Sequence, residues 1–136
     1  MNVLMCLKQK IRGDNYLHID RFLPNLKILF SPYSITNDDA PFVYSLNSHK
    51  INTNYINFLL NTKNFDETDS NAENFKKNKL TVTVKENSAI IAVTNGFHGR
   101  TSFKKNSERI ILFHQFNKAF GKLSYLNFFR YNKNKL

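Results

Sequence analysis

The chain has 136 residues, a formal net charge of +10 at pH 7, 41% hydrophobic residues and a single cysteine, Cys6. This length suits one small domain with extensions and excludes most multidomain enzymes, and the lone cysteine excludes an intramolecular disulfide and a cysteine-based zinc site. No apolar stretch is long enough to cross a membrane as a helix, so we expect no membrane partner.

The first part of the chain predicts helices after an N-terminal extension. Residues 1–36 contain scattered apolar positions interrupted by Pro24 and Pro32, and we interpret them as the extension. The Asn-Asp-Asp-Ala-Pro sequence at 37–41 is typical of a helix start, because Asn or Asp caps free N–H groups and proline fits the first turn. Apolar residues then recur at near-helical spacing as far as Leu59, which predicts one or two short helices.

The second part of the chain has the character of a β-sheet. Residues 61–78 are polar and aperiodic and predict an inserted linker, whereas 80–84, 88–93 and 109–113 are rich in β-forming residues and predict strands, with a turn at 95–100. We therefore predict an α+β fold in which short N-terminal helices pack on a small, mainly antiparallel three-stranded sheet. The domain would span 37–127, and a basic aromatic tail would follow at 128–136.

The sequence offers no clear catalytic or metal-binding constellation. The four histidines are scattered, and none forms the i, i+4 helical pair that is typical of zinc sites, so we treat them as unrelated. Adjacent carboxylates at 38–39 and 66–67 suit capping and a solvated loop better than acid–base catalysis. Residues 96–100 contain two glycines but lack the Lys-Ser/Thr ending of a phosphate-binding loop. The sequence thus predicts no metal, no cofactor and no catalytic residue.

Positive charge is concentrated in the C-terminal half. Residues 71–136 contain thirteen basic and three acidic residues, whereas 31–70 contain two basic and five acidic ones. A bias toward A/T-rich codons would enrich lysine in all segments alike, so the uneven placement indicates a polyanionic partner, and interleaved Phe and Tyr residues favour nucleic acid. The residues expected to contact RNA phosphates are Arg100, Lys104, Lys105, Lys118, Lys122, Arg130, Lys133 and Lys135.

Five short motifs follow one another between residues 40 and 130. Residues 40–51 begin with Ala-Pro-Phe-Val, 87–91 form a strand followed by Gly96, and 103–106 form a Phe-Lys-Lys-Asn hairpin. Residues 109–112 give a further strand, and 117–124 give a glycine-containing signature. In this order and spacing they resemble the small-subunit ribosomal protein S-nineteen family, in a divergent form of mitochondrial type.

The resemblance implies a structural constituent of the small ribosomal subunit, which would not be an enzyme. Its partners would be small-subunit rRNA in the head near the decoding region and neighbouring proteins such as the S-thirteen family, with no small-molecule substrate. Binding would depend on counterion release and on the shape of folded RNA. The expected location is the mitochondrial small ribosomal subunit.

Two other interpretations remain open from the sequence. Residues 95–101, Asn-Gly-Phe-His-Gly-Arg-Thr, resemble a segment of class III pyridoxal-phosphate-dependent aminotransferases. Such an enzyme needs a cofactor lysine and a large two-part fold, so a chain of this size would be a decayed fragment. The other alternative is a lineage-specific basic interaction protein.

Overall fold

Two antiparallel β-sheets, one α-helix and one 3₁₀ helix make up the fold. The computed structural model describes residues 5–8, 16–22, 24–63, 65–104 and 109–116. The strands are β1 (Met5–Lys8), β2 (Leu26–Ser31), β3 (Phe42–Ser45), β4 (Lys79–Val82), β5 (Ser88–Val93), β6 (His98–Arg100) and β7 (Ile110–Phe116). The helix α1 spans Thr53–Asn61, and the 3₁₀ helix spans Ser70–Phe75.

The strands divide into a large and a small sheet between which the chain passes repeatedly. The large sheet has the order β1-β7-β2-β5 and the small sheet the order β4-β3-β6. The chain moves from the large sheet (β2) to the small one (β3, β4), and then alternates from β5 to β6 to β7. This exchange is typical of double-sheet, jelly-roll-type architectures, in which the inner faces of the two sheets enclose the interior.

A helical layer covers one face of the small sheet. The buried apolar cluster here consists of Leu17, Ile19, Val43, Tyr55, Phe58, Ala72, Phe75 and Phe97. Asn52 caps α1 by accepting a hydrogen bond from the Tyr55 N–H at 3.0 Å. The Tyr55 hydroxyl in turn donates to the Asn95 carbonyl at 2.9 Å, which fixes the helix to the turn that precedes β6. Because Val43 faces this cluster, Phe42 and Tyr44 point to the opposite face.

That opposite face of the small sheet points toward the large sheet. The Tyr44 hydroxyl donates to the carbonyl of Val93, at the end of β5, at 2.8 Å. The register pairs Tyr44 with His98 and Phe42 with Arg100, and paired residues of antiparallel strands project to the same side. His98 and Arg100 therefore lie on the inner face of the small sheet.

The structure confirms the antiparallel strands that the sequence predicts at 80–84, 88–93 and 109–113, which correspond to β4, β5 and β7. The described residues form many strands and few helices, so the fold is α+β or mostly β, and two sheets are present where one was expected. The segment 26–31, within the predicted extension, forms β2, and the predicted linker contains the 3₁₀ helix. The predicted basic tail at 128–136 lies outside the described residues.

The predicted helix start at 37–41 is wrong, because these residues form a turn that leads into β3. The Asp39 carboxylate accepts hydrogen bonds from the Thr36 N–H at 2.9 Å and from the Thr36 hydroxyl at 2.6 Å. Ala40 then takes a φ of 52°, which directs the chain into a strand rather than a helical turn. The Asp39 side chain, which was expected to cap a helix, therefore stabilises a turn with the preceding Thr36. The helix begins only at Thr53.

No helix in the described part of the chain has both the length and the apolar character needed to cross a membrane.

Phe58 connects the helical layer to the small sheet, and its truncation tests this packing. Its ring is 1% exposed and contacts the rings of Phe65, Phe75 and Phe97. We expect Phe58→Ala to lower the free energy of unfolding by about 3–5 kcal/mol, because it removes buried surface and leaves a cavity. Urea denaturation measures this loss. Ile56→Ala, on the exposed face of the same helix, serves as the control, and an equal loss there would contradict the assigned packing.

Candidate metal centre

An extended segment, residues 17–20, carries two polar side chains on one face. Leu17 and Ile19 are 2% and 5% exposed and belong to the apolar cluster, so His18 and Asp20 project to the opposite side. The Ile19 N–H donates to the Phe65 carbonyl at 3.0 Å, and the Asp20 N–H donates to the Thr94 carbonyl at 3.1 Å. Backbone hydrogen bonds on both sides therefore hold this segment in place.

His18 lies directly opposite His98 in an antiparallel bridge. The His18 N–H donates to the His98 carbonyl at 2.8 Å, and the His98 N–H donates to the His18 carbonyl at 2.9 Å. Residues that exchange both backbone hydrogen bonds project their side chains to the same face. The two imidazole centroids are accordingly 4.7 Å apart. Backbone pairing alone thus brings together two histidines that are 80 positions apart in the chain.

Gly99 permits the close approach of these two segments. A Cβ atom at this position would lie 2.8 Å from the Tyr16 carbonyl oxygen and 3.3 Å from the Leu17 side chain. The first of these contacts is with backbone, so any larger residue would displace the segment that leads into His18. The absence of a side chain at Gly99 therefore contributes to the geometry of the histidine pair.

Asp20 completes a group of three potential metal ligands. Its Oδ1 atom lies 3.7 Å from His18 Nε2 and 3.6 Å from His98 Nε2, and the three donor atoms all lie within 4.8 Å of one another. Metal–ligand bonds of about 2.1 Å separate two ligands of one metal by roughly 3 to 3.4 Å, so small side-chain rotations would bring these atoms into coordination range.

The backbone fixes which nitrogen of each imidazole is available. His98 Nδ1 donates to the Gly96 carbonyl at 2.9 Å, and His18 Nδ1 lies 3.2 Å from the Tyr16 carbonyl. A carbonyl accepts only, so in the neutral ring the proton resides on Nδ1 and Nε2 keeps its lone pair. His98 Nε2 is buried and has no hydrogen-bond partner among the described residues. This is the second-sphere arrangement found around metal-bound histidines.

The charges around the donors favour the states that metal binding requires. Burial, and a proton on the neighbouring His98, lower the pKa of His18, which keeps its imidazole neutral at physiological pH. Burial raises the pKa of Asp20, but a proton on His98 Nε2 and the ammonium group of Lys27 outweigh that effect and hold the pKa well below its ordinary value. A metal ion at His98 Nε2 would take the place of that proton, because both need the same lone pair. Asp20 is therefore an ionised carboxylate beside two imidazoles.

Two histidines and one carboxylate on one face are the ligand set of non-haem iron(II) enzymes. Such a facial triad leaves the remaining coordination positions open to other ligands. His98 Nε2 has no hydrogen-bond partner among the described residues, and a buried polar atom without a partner is costly. A metal ion bound to this nitrogen would remove that cost, and the fixed Nδ1 protons suit such binding. The residues present therefore fit a mononuclear iron site.

Two arginines lie around the Phe103 ring, which follows β6 in the chain. Arg100 shares a face of β6 with His98, and its guanidinium lies 5.2 Å from the centre of the Phe103 ring. The Arg109 guanidinium lies 5.7 Å from the same ring and donates to the Ala40 carbonyl. Burial and the nearby Arg100 lower the pKa of Arg109 to about 10, which leaves it positively charged at neutral pH.

Two of the eight residues predicted to bind RNA are among the residues that the structure describes. Arg100 faces the interior beside His98, and Lys104 pairs with Asp38 at 2.6 Å on the surface. The other six lie outside the described residues: Lys105, Lys118, Lys122, Arg130, Lys133 and Lys135. Binding to small-subunit rRNA, the ribosomal partners and the mitochondrial location therefore stay predictions. The segment that resembles aminotransferases, 95–101, contains a turn and β6.

The sequence analysis treats His18 and His98 as unrelated, whereas the structure places them side by side with Asp20. One signal was present: Leu17-His18-Ile19-Asp20 alternates apolar and polar residues, which predicts a half-buried strand with His and Asp on its polar face. A search restricted to helical histidine pairs overlooks this pattern. The partnership with His98 has no local signal.

No protein-family model matches the sequence, and no curated protein matches it. Among solved structures, the fold is similar to that of HygX from Streptomyces hygroscopicus with iron bound, with a TM-score of 0.57 and 16% sequence identity. The match covers 88% of this chain and 59% of HygX. A second HygX structure, with nickel, 2-oxoglutarate and hygromycin B bound, matches with a TM-score of 0.46 and 19% identity over 71% of this chain and 37% of that one.

The likeness to iron-bound HygX corrects the prediction that the protein is not an enzyme. At 16% identity the likeness establishes a common fold, and HygX, which has this fold, is known with iron bound. The chain spans about 59% of the length of HygX. Within the shared architecture, the cluster of His18, Asp20 and His98 provides the ligand types that iron takes.

Substitution of Gly99 tests the geometry of the histidine pair. We expect Gly99→Ala to weaken the binding of Co(II), used as a spectroscopic substitute for iron, by about tenfold or more, because the added Cβ separates the two histidine-bearing segments. Isothermal titration calorimetry measures this affinity. Ile56→Ala, at an exposed position of α1 away from the triad, is the control. Unchanged Co(II) affinity in Gly99→Ala would contradict the proposed constraint.

Proposed function

We propose that the protein is a metal-dependent enzyme whose mononuclear iron(II) centre is held by His18, Asp20 and His98. The observation that carries this proposal is the convergence of three ionisable side chains, two from one extended segment and one from β6, on a single point. The Nδ1 protons of the two histidines donate to backbone carbonyls, so the two Nε2 atoms are the ones available to bind a metal at that point.

The shared fold with iron-bound HygX supports the proposal. Because this chain spans 59% of HygX and is 16% identical to it, the reaction and the substrate of HygX are not transferred here. The support lies in the combination of an architecture known to hold iron and, within it, a local set of iron-type ligands. A bound iron(II) ion would supply the oxygen and redox chemistry that no amino-acid side chain provides.

The arginines beside the triad favour an anionic co-ligand. Arg100 projects from the same face of β6 as His98, and Arg109 lies next to Arg100 around the Phe103 ring. Guanidinium groups bind carboxylates in a bidentate manner, and partial burial strengthens that interaction. An oxo-acid could place one carboxylate near the metal and a second near an arginine. We choose 2-oxoglutarate as the probe because it carries both groups.

In this proposal each residue has a distinct task. His18 and His98 present neutral nitrogens, Asp20 presents a charged oxygen, and the arginines orient the co-ligand. The ring of Phe42, whose centroid lies 5.9 Å from that of His98, forms an apolar wall beside the triad. Such a wall limits the access of water to the centre.

Removal of one ligand tests the metal centre. We expect His98→Ala to weaken Co(II) binding by at least a hundredfold and to abolish its visible absorption bands, because one of three protein donors is lost. Titration followed by absorption spectroscopy measures both effects. His49→Ala, at an exposed position outside the triad, is the control. With Fe(II) and 2-oxoglutarate, wild-type protein should consume dioxygen and His98→Ala should not. Retention of the cobalt spectrum in His98→Ala would sink the proposal.

Substitution of the arginines tests the co-ligand. We expect the double variant Arg100→Gln/Arg109→Gln to raise the half-saturating concentration of 2-oxoglutarate roughly tenfold or more, because charged hydrogen bonds to a carboxylate are lost. The affinity for Co(II) should stay within a factor of about three, which also verifies that the variant is folded. Lys104→Gln removes an exposed cation nearby and serves as the charge control. Equal effects of both variants would indicate general electrostatics instead of a specific site.

A further inference from the structure

Lys27 engages one oxygen of the carboxylate that the proposed metal centre uses. Its Nζ atom lies 2.7 Å from Asp20 Oδ2, whereas Oδ1 is the atom that faces both histidines. The two side chains are 16% and 18% exposed, so the ion pair is largely removed from solvent. The two oxygens of Asp20 thus have different neighbours: a lysine on one and the histidine pair on the other.

The fold holds Lys27 in this position from the opposite sheet. Lys27 is the second residue of β2, which lies between β7 and β5 in the large sheet, and it pairs with Gln115 and with Ala92. Its ammonium group lies 5.6 Å from the centre of the Phe113 ring on β7. The alternation of β2 places Lys27 on the same face as Leu29, on the inner side of the sheet. The ion pair therefore links the large sheet to the segment that carries two of the three ligands.

We propose that Lys27 is a positioning residue that restricts Asp20 to binding the metal through Oδ1 alone. This inference rests on the proposed iron centre and deepens it. A free aspartate can bind a cation through both oxygens, which fills an additional coordination position. An ammonium group 2.7 Å from Oδ2 opposes this, because it repels a cation that approaches that oxygen.

The proposed role of Lys27 affects how exogenous ligands bind to the metal, rather than how tightly the protein binds the metal. A metal held by Oδ1 of Asp20 and by the two histidines would leave positions for a two-point oxo-acid and for one further molecule. If Oδ2 were also bound, the oxo-acid would have to displace it or leave no position for the further molecule. Lys27 would thus keep Oδ2 from competing with the co-ligand, and its removal need not weaken the metal site.

Lys27→Met retains an unbranched side chain but cannot engage Oδ2, and Lys27→Arg retains a cationic donor. We expect Co(II) to bind Lys27→Met with at least wild-type affinity, because a repulsive charge is removed and a second carboxylate oxygen is released. The visible bands of the saturated cobalt protein should shift, and the concentration of 2-oxoglutarate that half-completes its own spectral change should rise about tenfold. Lys27→Arg should retain the wild-type spectrum and response.

The possible results are distinguishable. An unaltered cobalt spectrum and an unaltered response to 2-oxoglutarate in Lys27→Met would overturn the role of Lys27. If wild-type protein gives no cobalt spectrum that depends on His98, the metal centre itself is refuted and the inference falls with it. If Lys27→Met does not fold, as judged by circular dichroism, Lys27→Gln replaces it, since this variant is polar but uncharged; a wild-type spectrum there would equally count against a charge-dependent role.

Discussion

The antiparallel pairing of residues 17–20 with β6 is the interaction on which the candidate site depends. Two backbone hydrogen bonds between His18 and His98 place their imidazoles next to each other. The pairing is stabilised from the other face, where Leu17 and Ile19 pack into the aromatic cluster around Phe58 and Phe97. Hydrophobic burial on one side of the segment thus positions polar ligands on the other.

The site combines a desolvation cost with electrostatic compensation of that cost. Asp20 is a largely buried carboxylate, and His98 Nε2 has no hydrogen-bond partner in the part of the chain that the structure describes. Both features carry a desolvation cost that an ordinary interior would avoid. Lys27 offsets the charge of Asp20 from the large sheet. Buried polar groups that carry such a cost are expected at functional positions, and here Asp20 and His98 are neighbours.

Local sequence patterns identified three of the seven strands in the described part of the chain, but not the site. Strands β4, β5 and β7 follow from β-branched and alternating residues, which act within a few positions of the chain. The turn at Thr36–Asp39 was mistaken for a helix cap, since the same short polar side chains serve both purposes. Leu17-His18-Ile19-Asp20 carries a strand pattern that places His and Asp on one face. Its pairing with His98 is a long-range contact, which no local pattern contains.

The charge distribution links the metal to its co-ligand. In the triad only Asp20 is negative, and Lys27 balances that charge, so the triad and Lys27 together present no net charge to an incoming dication. Arg100, on the same face of β6 as His98, and Arg109, beside the Phe103 ring, add positive charge. Electrostatics alone therefore disfavours hard cations that depend on several carboxylates, and leaves imidazole nitrogen as the main source of affinity. In the proposed function, an anionic co-ligand lowers the repulsion between the metal and the arginines. The metal and the co-ligand then strengthen each other's binding, since such coupling is reciprocal.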